Sequence, residues 1–188
     1  MMDGGVDLEK FKLKNMRQVQ SILNQLVSAL ALAEEKIQFE HRDLHLGNIL
    51  VKETDLKGFK CVEKEFDFEG IQCSIIDYSL SRMKNGKDVA FRDLDTIEWL
   101  FEGDPKIDTQ YQVYKDMRTS KDKLSWKDFN PRSNILWLTF ILERLVLKQK
   151  KSVCTPKNIF NSLSELHKRI SKYSSVQELK QNDEFFKK

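Results

Sequence analysis

The sequence contains few of the residues that characterise disulfide-stapled, collagen-like or low-complexity chains. Its 188 residues include only 3 cysteines, 7 glycines and 3 prolines. Cys61, Cys73 and Cys154 are widely spaced and form no Cys-x-x-Cys or Cys/His pattern, which excludes a disulfide framework or a metal site of that kind. This cysteine usage, together with the lack of a signal peptide, indicates a reducing intracellular compartment.

Long apolar runs and a strong charge of one sign are also missing. No apolar stretch approaches the ~20 residues that a membrane-spanning helix needs, so we expect no membrane partner. The net charge of +3 is too small to indicate nucleic acid as a direct partner. What remains is an ordinary globular composition, with 40% hydrophobic and 32% charged residues, in a chain long enough for one domain with a sizeable core.

The spacing of the apolar residues predicts a mainly helical α+β fold with a few short strands. Val19, Ile22, Leu26 and Leu30 recur at helical intervals, and frequent alanine and leucine favour the same helix by propensity. In the first half of the chain we expect residues 6–9 to lead toward this helix at 15–35, followed by a polar loop at 39–48 and by strands at 49–51 and 72–76 around a loop or hairpin insert at 53–70. A charged irregular stretch at 83–125, with a short helix at 110–117, comes next. The chain then continues with a buried helix from 133 or 134 to 145, a helix opened by Thr155-Pro156, and a short helix after 175.

The polar loop carries the pattern of a phosphotransfer loop. His41-Arg42-Asp43-Leu44-His45-Leu46-Gly47-Asn48 matches His-Arg-Asp-Leu-x-x-x-Asn at every fixed position. The spacing lets Asp43 reach an acceptor hydroxyl while Asn48 faces the metal ion of a nucleotide. Arg42 is then free to pin the loop or to pair with a phosphate or a carboxylate. The alternative is a charged surface loop, which a match at five fixed positions disfavours.

Asp77 follows the second predicted strand directly. A kinase places its main magnesium ligand at such a strand end, and carboxylate oxygens suit hard Mg²⁺. The usual Asp-Phe-Gly is replaced by Asp77-Tyr78-Ser79, so the aspartate is kept and the glycine is not. Taken alone, Asp77 would be a strand-end cap. Downstream of an intact catalytic loop, the metal role is the better interpretation.

Three segments resemble the haspin family of atypical protein kinases. They are residues 39–48, residues 74–82 (Ser-Ile-Ile-Asp-Tyr-Ser-Leu-Ser-Arg) and residues 130–138 (Asn-Pro-Arg-Ser-Asn-Ile-Leu-Trp-Leu). Haspins have an Asp-Tyr-Thr-Leu-Ser-Arg segment in place of Asp-Phe-Gly and lack Ala-Pro-Glu, which is also missing from this sequence. The similarity covers nearly the whole chain, and residues 4–9 correspond to the hinge and the start of the lower lobe in that family.

The resemblance implies a serine/threonine protein kinase that uses ATP and Mg²⁺. By position, Asp43 would be the catalytic base, with His41 and Arg42 beside it in the catalytic loop. The implied nucleotide-binding residues are Gly5, Asp7, Asn48 and Asp77, of which Asn48 and Asp77 would bind magnesium. The family phosphorylates a threonine near the N-terminus of histone H3 in mitosis. The expected partner is therefore the histone H3 tail, and the expected location is the chromosomes in the nucleus.

A cationic histone tail would be held by acidic groups around the cleft. The candidates are Asp7 and Glu9 near the start of the chain, and Asp93, Asp95, Glu98, Glu102 and Asp104 in the segment that replaces the activation loop. For each one singly, a solvated surface acid is the stronger interpretation. Ile97 and Trp99 depart from the pattern of the animal enzymes in this segment.

The parts of a kinase upper lobe are not found in the sequence. There is no Gly-x-Gly-x-x-Gly and no Val-Ala-Ile-Lys-like segment. We therefore expect residues 1–188 to be the C-terminal lobe of a kinase domain that starts at the hinge, with an N-terminal lobe in the parent chain and little activity of its own. The alternatives are a kinase-derived peptide-binding module without catalysis and a small-molecule phosphotransferase of kinase-like fold.

Overall fold

The computed structural model describes residues 4–56, 58–61, 64–149 and 157–187. In chain order the elements are β1 (Val6–Asp7), α1 (Met16–Ile37), β2 (Ile49–Glu53), β3 (Gly58–Cys61), β4 (Lys64–Asp67), β5 (Ile71–Ile75), β6 (Met83–Asn85), β7 (Asp88–Ala90), α2 (Trp99–Glu102), α3 (Gln110–Lys121), α4 (Arg132–Gln149), α5 (Lys157–Ile170), α6 (Val176–Asn182) and α7 (Glu184–Lys187). The predicted mainly helical α+β fold with short strands beside the polar loop is confirmed.

The long helix α1 lies at the centre of the hydrophobic core. Asn15 caps its first turn, because the side chain accepts a hydrogen bond from Gln18 N at 3.0 Å. Gln38 ends it in a left-handed conformation with φ 47°. The apolar face of α1 is fully buried at Ile22 and Leu23 and packs against α4, α5 and α6. The helix therefore fixes where the loop after it begins.

A small antiparallel sheet with the strand order β1-β2-β5 lies next to that loop, which leads directly into β2. Strand β2 pairs with β5 from Ile49 opposite Ile75 to Glu53 opposite Ile71. This register brings the start of β2, where the polar loop ends, next to the end of β5, where Asp77 follows. In the chain between β2 and β5, strands β3 and β4 pair with each other as a hairpin. Of the loop and the hairpin predicted for residues 53–70, the structure has the hairpin.

The start of the chain contains a strand that was not predicted from the sequence. Val6–Asp7 pairs with Leu50 and Val51 of β2, and the chain then leads to α1 as predicted. Gly5 has φ 96°, and a Cβ there would clash with the Val51 carbonyl. A two-residue strand that depends on a partner more than 40 residues away leaves no local periodic signal.

The segment expected to be irregular, 83–125, is partly ordered. Strands β6 and β7 form a hairpin in which Gly86 has φ 60°, as a tight turn requires. Helix α3 extends four residues beyond the predicted 110–117. It packs against α4, whose Trp137 and Ile141 are completely buried.

The C-terminal helices α5 and α6 pack against α1. The predicted opening at Thr155-Pro156 lies outside the described residues, whereas the helix itself is present as α5. Ser175 caps α6 by accepting a hydrogen bond from Glu178 N at 3.0 Å. None of the helices in the described ranges combines the length and the apolar character needed to cross a bilayer.

Candidate active site

The predicted catalytic loop joins α1 to β2. Its last three residues, Leu46–Asn48, form a single 3-10 turn that leads into the strand. His45 opens this turn, because its Nδ1 accepts a hydrogen bond from Gly47 N at 3.0 Å. A Cβ at Gly47 would lie 2.8 Å from the His45 ring, so a larger residue there would displace the imidazole. The turn sets the separation between Asp43 and Asn48.

A buried ion pair holds the beginning of the loop. Glu40 and Arg42 are each about 1% exposed, and the guanidinium donates to the two carboxylate oxygens at 3.1 Å each. Glu40 also accepts hydrogen bonds from Asn130 N at 2.8 Å and Ser133 Oγ at 2.9 Å. Arg42 donates to the Trp126 carbonyl at 2.7 Å. Arg42 therefore pairs with a carboxylate and anchors the loop, and its side chain is not open to a substrate.

The backbone of Arg42 is in an unusual conformation. Its φ of 68° lies in the left-handed region, which costs a residue other than glycine of order 1–3 kcal/mol. The hydrogen bonds of the guanidinium offset that cost. Such strain at a loop is typical of functional sites, because it aims the next side chain, here Asp43, in a fixed direction.

Asn134 joins the loop to the core. Its Oδ1 accepts from His41 N at 3.0 Å, while its Nδ2 donates to Glu34 Oε1 at 2.9 Å and the Phe39 carbonyl at 2.8 Å. Asn134 is completely buried. The Asn-Pro-Arg-Ser-Asn segment at 130–134 therefore supports the catalytic loop from behind.

His41 links the loop to the end of β5. Its Nε2 lies 3.0 Å from the Ile76 carbonyl, and its Nδ1 lies 3.3 Å from Asp43 N. The first contact requires an N–H donor and the second an acceptor, so these partners assign a neutral ring. Burial lowers the pKa of His41 to about 4. The neutral His41 ring therefore connects the catalytic loop to the end of β5 through these two hydrogen bonds.

Asp43 stands on the rim of the loop with 15% of its side chain exposed. The Tyr114 hydroxyl donates to its Oδ1, and Asn48 Nδ2 lies 3.3 Å from its Oδ2 and 2.8 Å from its carbonyl oxygen. His45 Nε2 is 4.0 Å from Oδ1. Burial raises the pKa of Asp43, although the hydrogen bond from Tyr114 works in the opposite direction. A carboxylate that is held in one orientation and is reachable from one side suits a group that accepts a proton.

Asp77 lies where the strand register places it, beside the loop. Ile76 N donates to the Asn48 carbonyl at 3.0 Å, so the two segments are hydrogen-bonded at the residue before Asp77. Asp77 has φ 59°, in the left-handed region, and its Oδ1 accepts from Ser79 N at 3.1 Å. Hydrogen bonds from Ser79 lower the pKa of Asp77, which is exposed. An exposed, ionised carboxylate in the segment bonded to Asn48 offers oxygen ligands to a divalent cation.

The donor atoms of Asn48 and Asp77 fit Mg²⁺. The Asn48 amide nitrogen is used by Asp43, so its Oδ1 must point away from that residue. Asp77 offers carboxylate oxygens, and Mg²⁺ prefers oxygen ligands and keeps several waters. In the described part of the chain no cluster of three or more His, Cys, Asp or Glu side chains forms a metal cage of its own. Two protein ligands, completed by phosphate oxygens and water, are the expected pattern for a nucleotide-bound ion.

The residues predicted to contact the nucleotide from the chain start lie on the neighbouring strand. Asp7 is in β1 and pairs with Leu50 of β2. Leu50 is two residues after Asn48 in the chain. Its Oδ2 accepts from Lys10 Nζ at 2.9 Å, and this hydrogen bond lowers the pKa of Asp7. Gly5 is explained by the close approach of β1 to β2. Glu9 is exposed in the turn that follows the strand.

Three of the acids predicted to bind a basic peptide already have partners within the protein. Asp95 is bound by Arg118 at 3.0 Å and Lys121 at 3.5 Å. Partial burial acts to raise the pKa of Asp95, but the hydrogen bond and charge of Arg118, together with the charge of Lys121, outweigh it and the pKa is lowered. Asp93 caps the turn at 94–96 by accepting from Asp95 N, and Asp104 accepts from Lys106 N. Two of these three carboxylates thus have local backbone partners, and the third is paired with cations.

Glu98 and Glu102 line a groove of about 690 Å³ next to the segment that follows Asp77. The other lining residues are Ser79, Leu80, Arg92, Thr96, Ile97 and Trp99. Trp99 is 58% exposed, which is unusual for so large an apolar side chain. The Arg92 carbonyl, 3.4 Å from Arg42 Nη1, connects this groove to the catalytic loop.

Tyr114 was missing from the sequence-based set of site residues. It lies in α3, 71 residues after Asp43, and its hydroxyl reaches the carboxylate across the fold. The sequence placed it only in the predicted short helix at 110–117, with no role assigned. No local signal distinguishes it from Tyr111, one turn earlier.

Comparison with known proteins agrees with this geometry. The family model for the haspin-like kinase domain matches residues 1–188. The serine/threonine-protein kinase haspin of Mus musculus is 38% identical over 186 residues, which cover 94% of this chain and 24% of that protein. The haspin homolog of Arabidopsis thaliana is 38% identical over 190 residues, with 97% and 30% covered, and that of Drosophila melanogaster is 38% identical over 179 residues, with 92% and 31% covered. The chain spans about a quarter to a third of the length of these relatives.

Proposed function

The chain belongs to the haspin-like kinase family, and from this we propose that the protein transfers the γ-phosphate of ATP to a serine or threonine hydroxyl of a protein substrate. The observation that carries the proposal is the convergence of Asp43, Asn48 and Asp77 at one edge of the sheet. A chain that had lost catalysis would have no need to keep all three. This retention favours an enzyme over a peptide-binding module.

In this reaction Asp43 accepts the proton of the acceptor hydroxyl. Its carboxylate is oriented by Tyr114 and Asn48, so the lost proton has a fixed destination. Asn48 and Asp77 would hold Mg²⁺, which would supply positive charge to offset the negative charge of the phosphates. Most of the rate enhancement in such a transfer comes from positioning and electrostatics, which explains why the support of the loop is so extensive.

We propose the N-terminal tail of histone H3 as the substrate, with a threonine close to its N-terminus as the acceptor. Support comes from the family and from Glu98 and Glu102, which add negative charge to the groove beside the Asp77 segment. Arg92, Ile97 and Trp99 line the same groove, so residues of the peptide other than lysine and arginine also contact it. By the same reasoning we propose that the protein acts on chromosomes in the nucleus during mitosis.

We also propose that residues 1–188 form the lower lobe of a kinase domain. The sequence has no Gly-x-Gly-x-x-Gly, and the relatives are three to four times as long as the matched region. We expect the protein at its full encoded length to transfer phosphate and the 188-residue chain alone to transfer little.

The test is incubation of the full-length protein with radiolabelled ATP, Mg²⁺ and an H3 N-terminal peptide, with a peptide carrying valine in place of the acceptor threonine as the control. Incorporation into the first peptide alone supports both the activity and the substrate. Incorporation into other proteins but not into the H3 peptide would support the kinase activity and contradict histone H3 as the substrate. Binding of the peptide without any transfer would favour the peptide-binding module.

A further inference from the structure

The buried phenol of Tyr114 is hydrogen-bonded to Asp43, the proposed catalytic base. Its side chain lies in α3, is 2% exposed, and its hydroxyl donates a hydrogen bond to Asp43 Oδ1. Burial and the neighbouring Asp43 carboxylate raise the pKa of Tyr114, so the group is a neutral donor. A neutral buried donor can orient a carboxylate without removing its charge.

The ring of Tyr114 is fixed by packing. It meets Trp137 edge to face, with centroids 5.3 Å apart and an interplanar angle of 75°, and its centroid is 6.3 Å from that of Tyr111. Trp137 is completely buried in α4. The direction of the hydroxyl is therefore determined by the α3–α4 contact, and not by the loop to which it bonds.

Asp43 is held from its other side by Asn48. The Asn48 amide lies 3.3 Å from Oδ2 and 2.8 Å from the Asp43 carbonyl. Each carboxylate oxygen can accept two hydrogen bonds. Tyr114 uses one acceptor position of Oδ1 and Asn48 uses one of Oδ2, so the fixed carboxylate keeps capacity for a further donor, which an incoming acceptor hydroxyl can supply.

We propose that Tyr114 is a positioning residue that fixes the rotation of the Asp43 carboxylate and so presents one oxygen to the acceptor hydroxyl. The inference rests on the proposed function, because it gives Tyr114 a role only if Asp43 accepts a proton. It makes the α3–α4 contact part of the catalytic apparatus, although neither helix contains a residue of the kinase loop pattern. A purely structural hydrogen bond predicts a loss of stability with no change in kcat.

The test compares Tyr114→Phe with Tyr111→Phe in the full-length protein. Each variant removes one hydroxyl and keeps its ring, and only the first removes the bond to Asp43. We expect Tyr114→Phe to lower kcat roughly 10- to 100-fold, since a misplaced reacting group costs about that much. The KM for ATP should stay within two-fold, and Tyr111→Phe should keep full kcat.

A second readout does not depend on turnover. With tyrosine labelled at ¹³Cζ, the Tyr114 resonance is assigned by its loss in Tyr114→Phe. It should shift when Asp43→Asn removes the charged acceptor, while the Tyr173 resonance stays in place.

An active unmutated enzyme with a Tyr114→Phe kcat within two-fold of it overturns this inference alone. So does a Tyr114 resonance that does not shift in Asp43→Asn. An unmutated protein that transfers no phosphate to any peptide overturns the proposed function, and this inference with it.

Discussion

At the scale of single residues, each polar side chain of the catalytic loop has a partner that fixes its direction. Asn48 is held by Asp43, Asp43 by Tyr114, and His41 by the Ile76 carbonyl. None of these side chains depends on a long flexible stem. The cost of ordering them is therefore met on folding, before any substrate binds.

The Asp77 carboxylate gives a prediction about metal dependence. Asp77→Asn removes the charge that would bind Mg²⁺, so we expect roughly 10-fold weaker binding of Mg·ATP or more, together with a matching loss of activity. A titration of activity against Mg²⁺ concentration measures this. Asp88→Asn, which changes an exposed aspartate on β7, is the matched control and should behave as the unmutated protein. An unaltered magnesium requirement in Asp77→Asn would rule out its role as a ligand.

The neutral His41 gives a prediction about pH. Its pKa is about 4 in the fold against an ordinary value of 6.5, so the unfolded chain binds more protons between these values. The contribution of His41 to stability is complete above pH 6.5 and is lost as the pH falls toward 4. From the linkage relation, the loss between pH 7 and pH 5 is about 2 kcal/mol.

Denaturant unfolding at pH 7 and pH 5 checks this expectation. Unmutated protein should lose stability between the two, and His41→Gln should lose about 2 kcal/mol less over the same interval. Equal losses in the two proteins would show that His41 takes up its proton as easily in the fold as in the unfolded chain.

How well single residues could be predicted depends on the distance of their partners in sequence. Asp43 and Asn48 belong to one eight-residue pattern, and Asp77 follows a recognisable strand, so their proximity was predicted and the structure brings them together. Tyr114 is 71 residues from Asp43 and resembles a packing residue. The pairing of Asp95 with Arg118 could not be predicted for the same reason.

At the scale of elements, the loop is supported by segments that come later in the chain. The carboxylate of Glu40 accepts hydrogen bonds from Arg42, Asn130 and Ser133. Residues at the start of α4 and just before it therefore hold the loop in its conformation. Its conformation should be as stable as the core itself.

The Glu40–Arg42 pair gives a prediction about stability. Glu40→Ala leaves the Arg42 guanidinium buried without a counter-charge, which costs about 3–5 kcal/mol. Chemical denaturation measures the change. Glu35→Ala is the control, because Glu35 pairs with Lys36 at the surface and its loss should change stability little. Comparable effects of the two substitutions would contradict the anchoring role of Glu40.

Elements were predictable where their pattern is long and local. Helices α1 and α4 have apolar residues at helical spacing over many turns, and both are present close to the predicted bounds. Strand β1 and the β6–β7 hairpin have two or three residues per strand, which is too short for a periodic signal. For β1 the pairing with β2 decides the conformation, and that contact is invisible in the local sequence.

At the scale of the whole molecule, the site lies where the sheet edge, the loop and the segment after Asp77 meet. The groove lined by Glu98 and Glu102 opens beside this junction. A peptide in the groove would have its hydroxyl near Asp43 only if the groove and the loop keep their relative position. The hydrogen bond from Arg42 to the Arg92 carbonyl connects the two.

The groove gives a prediction about peptide recognition. Replacing both Glu98 and Glu102 by glutamine should raise the KM for a basic peptide several-fold, because attraction to a cationic tail is lost. The KM for ATP should not change, and the difference between variant and parent should shrink at high salt. Steady-state kinetics at two salt concentrations measure both effects. A peptide KM that is unchanged at low salt would show that this groove does not bind the basic tail.

The proposed function depends most on Asp43 as the base of the phosphotransfer reaction. Its most direct test is phosphate transfer to an H3 N-terminal peptide by the full-length protein and by its Asp43→Asn variant, with nucleotide binding measured on both. We expect transfer by the unmutated protein, a loss of at least roughly 100-fold in the variant, and nearly equal affinity of the two proteins for Mg·ATP. Transfer by the variant within a few-fold of the unmutated protein would contradict the role of Asp43 as the base.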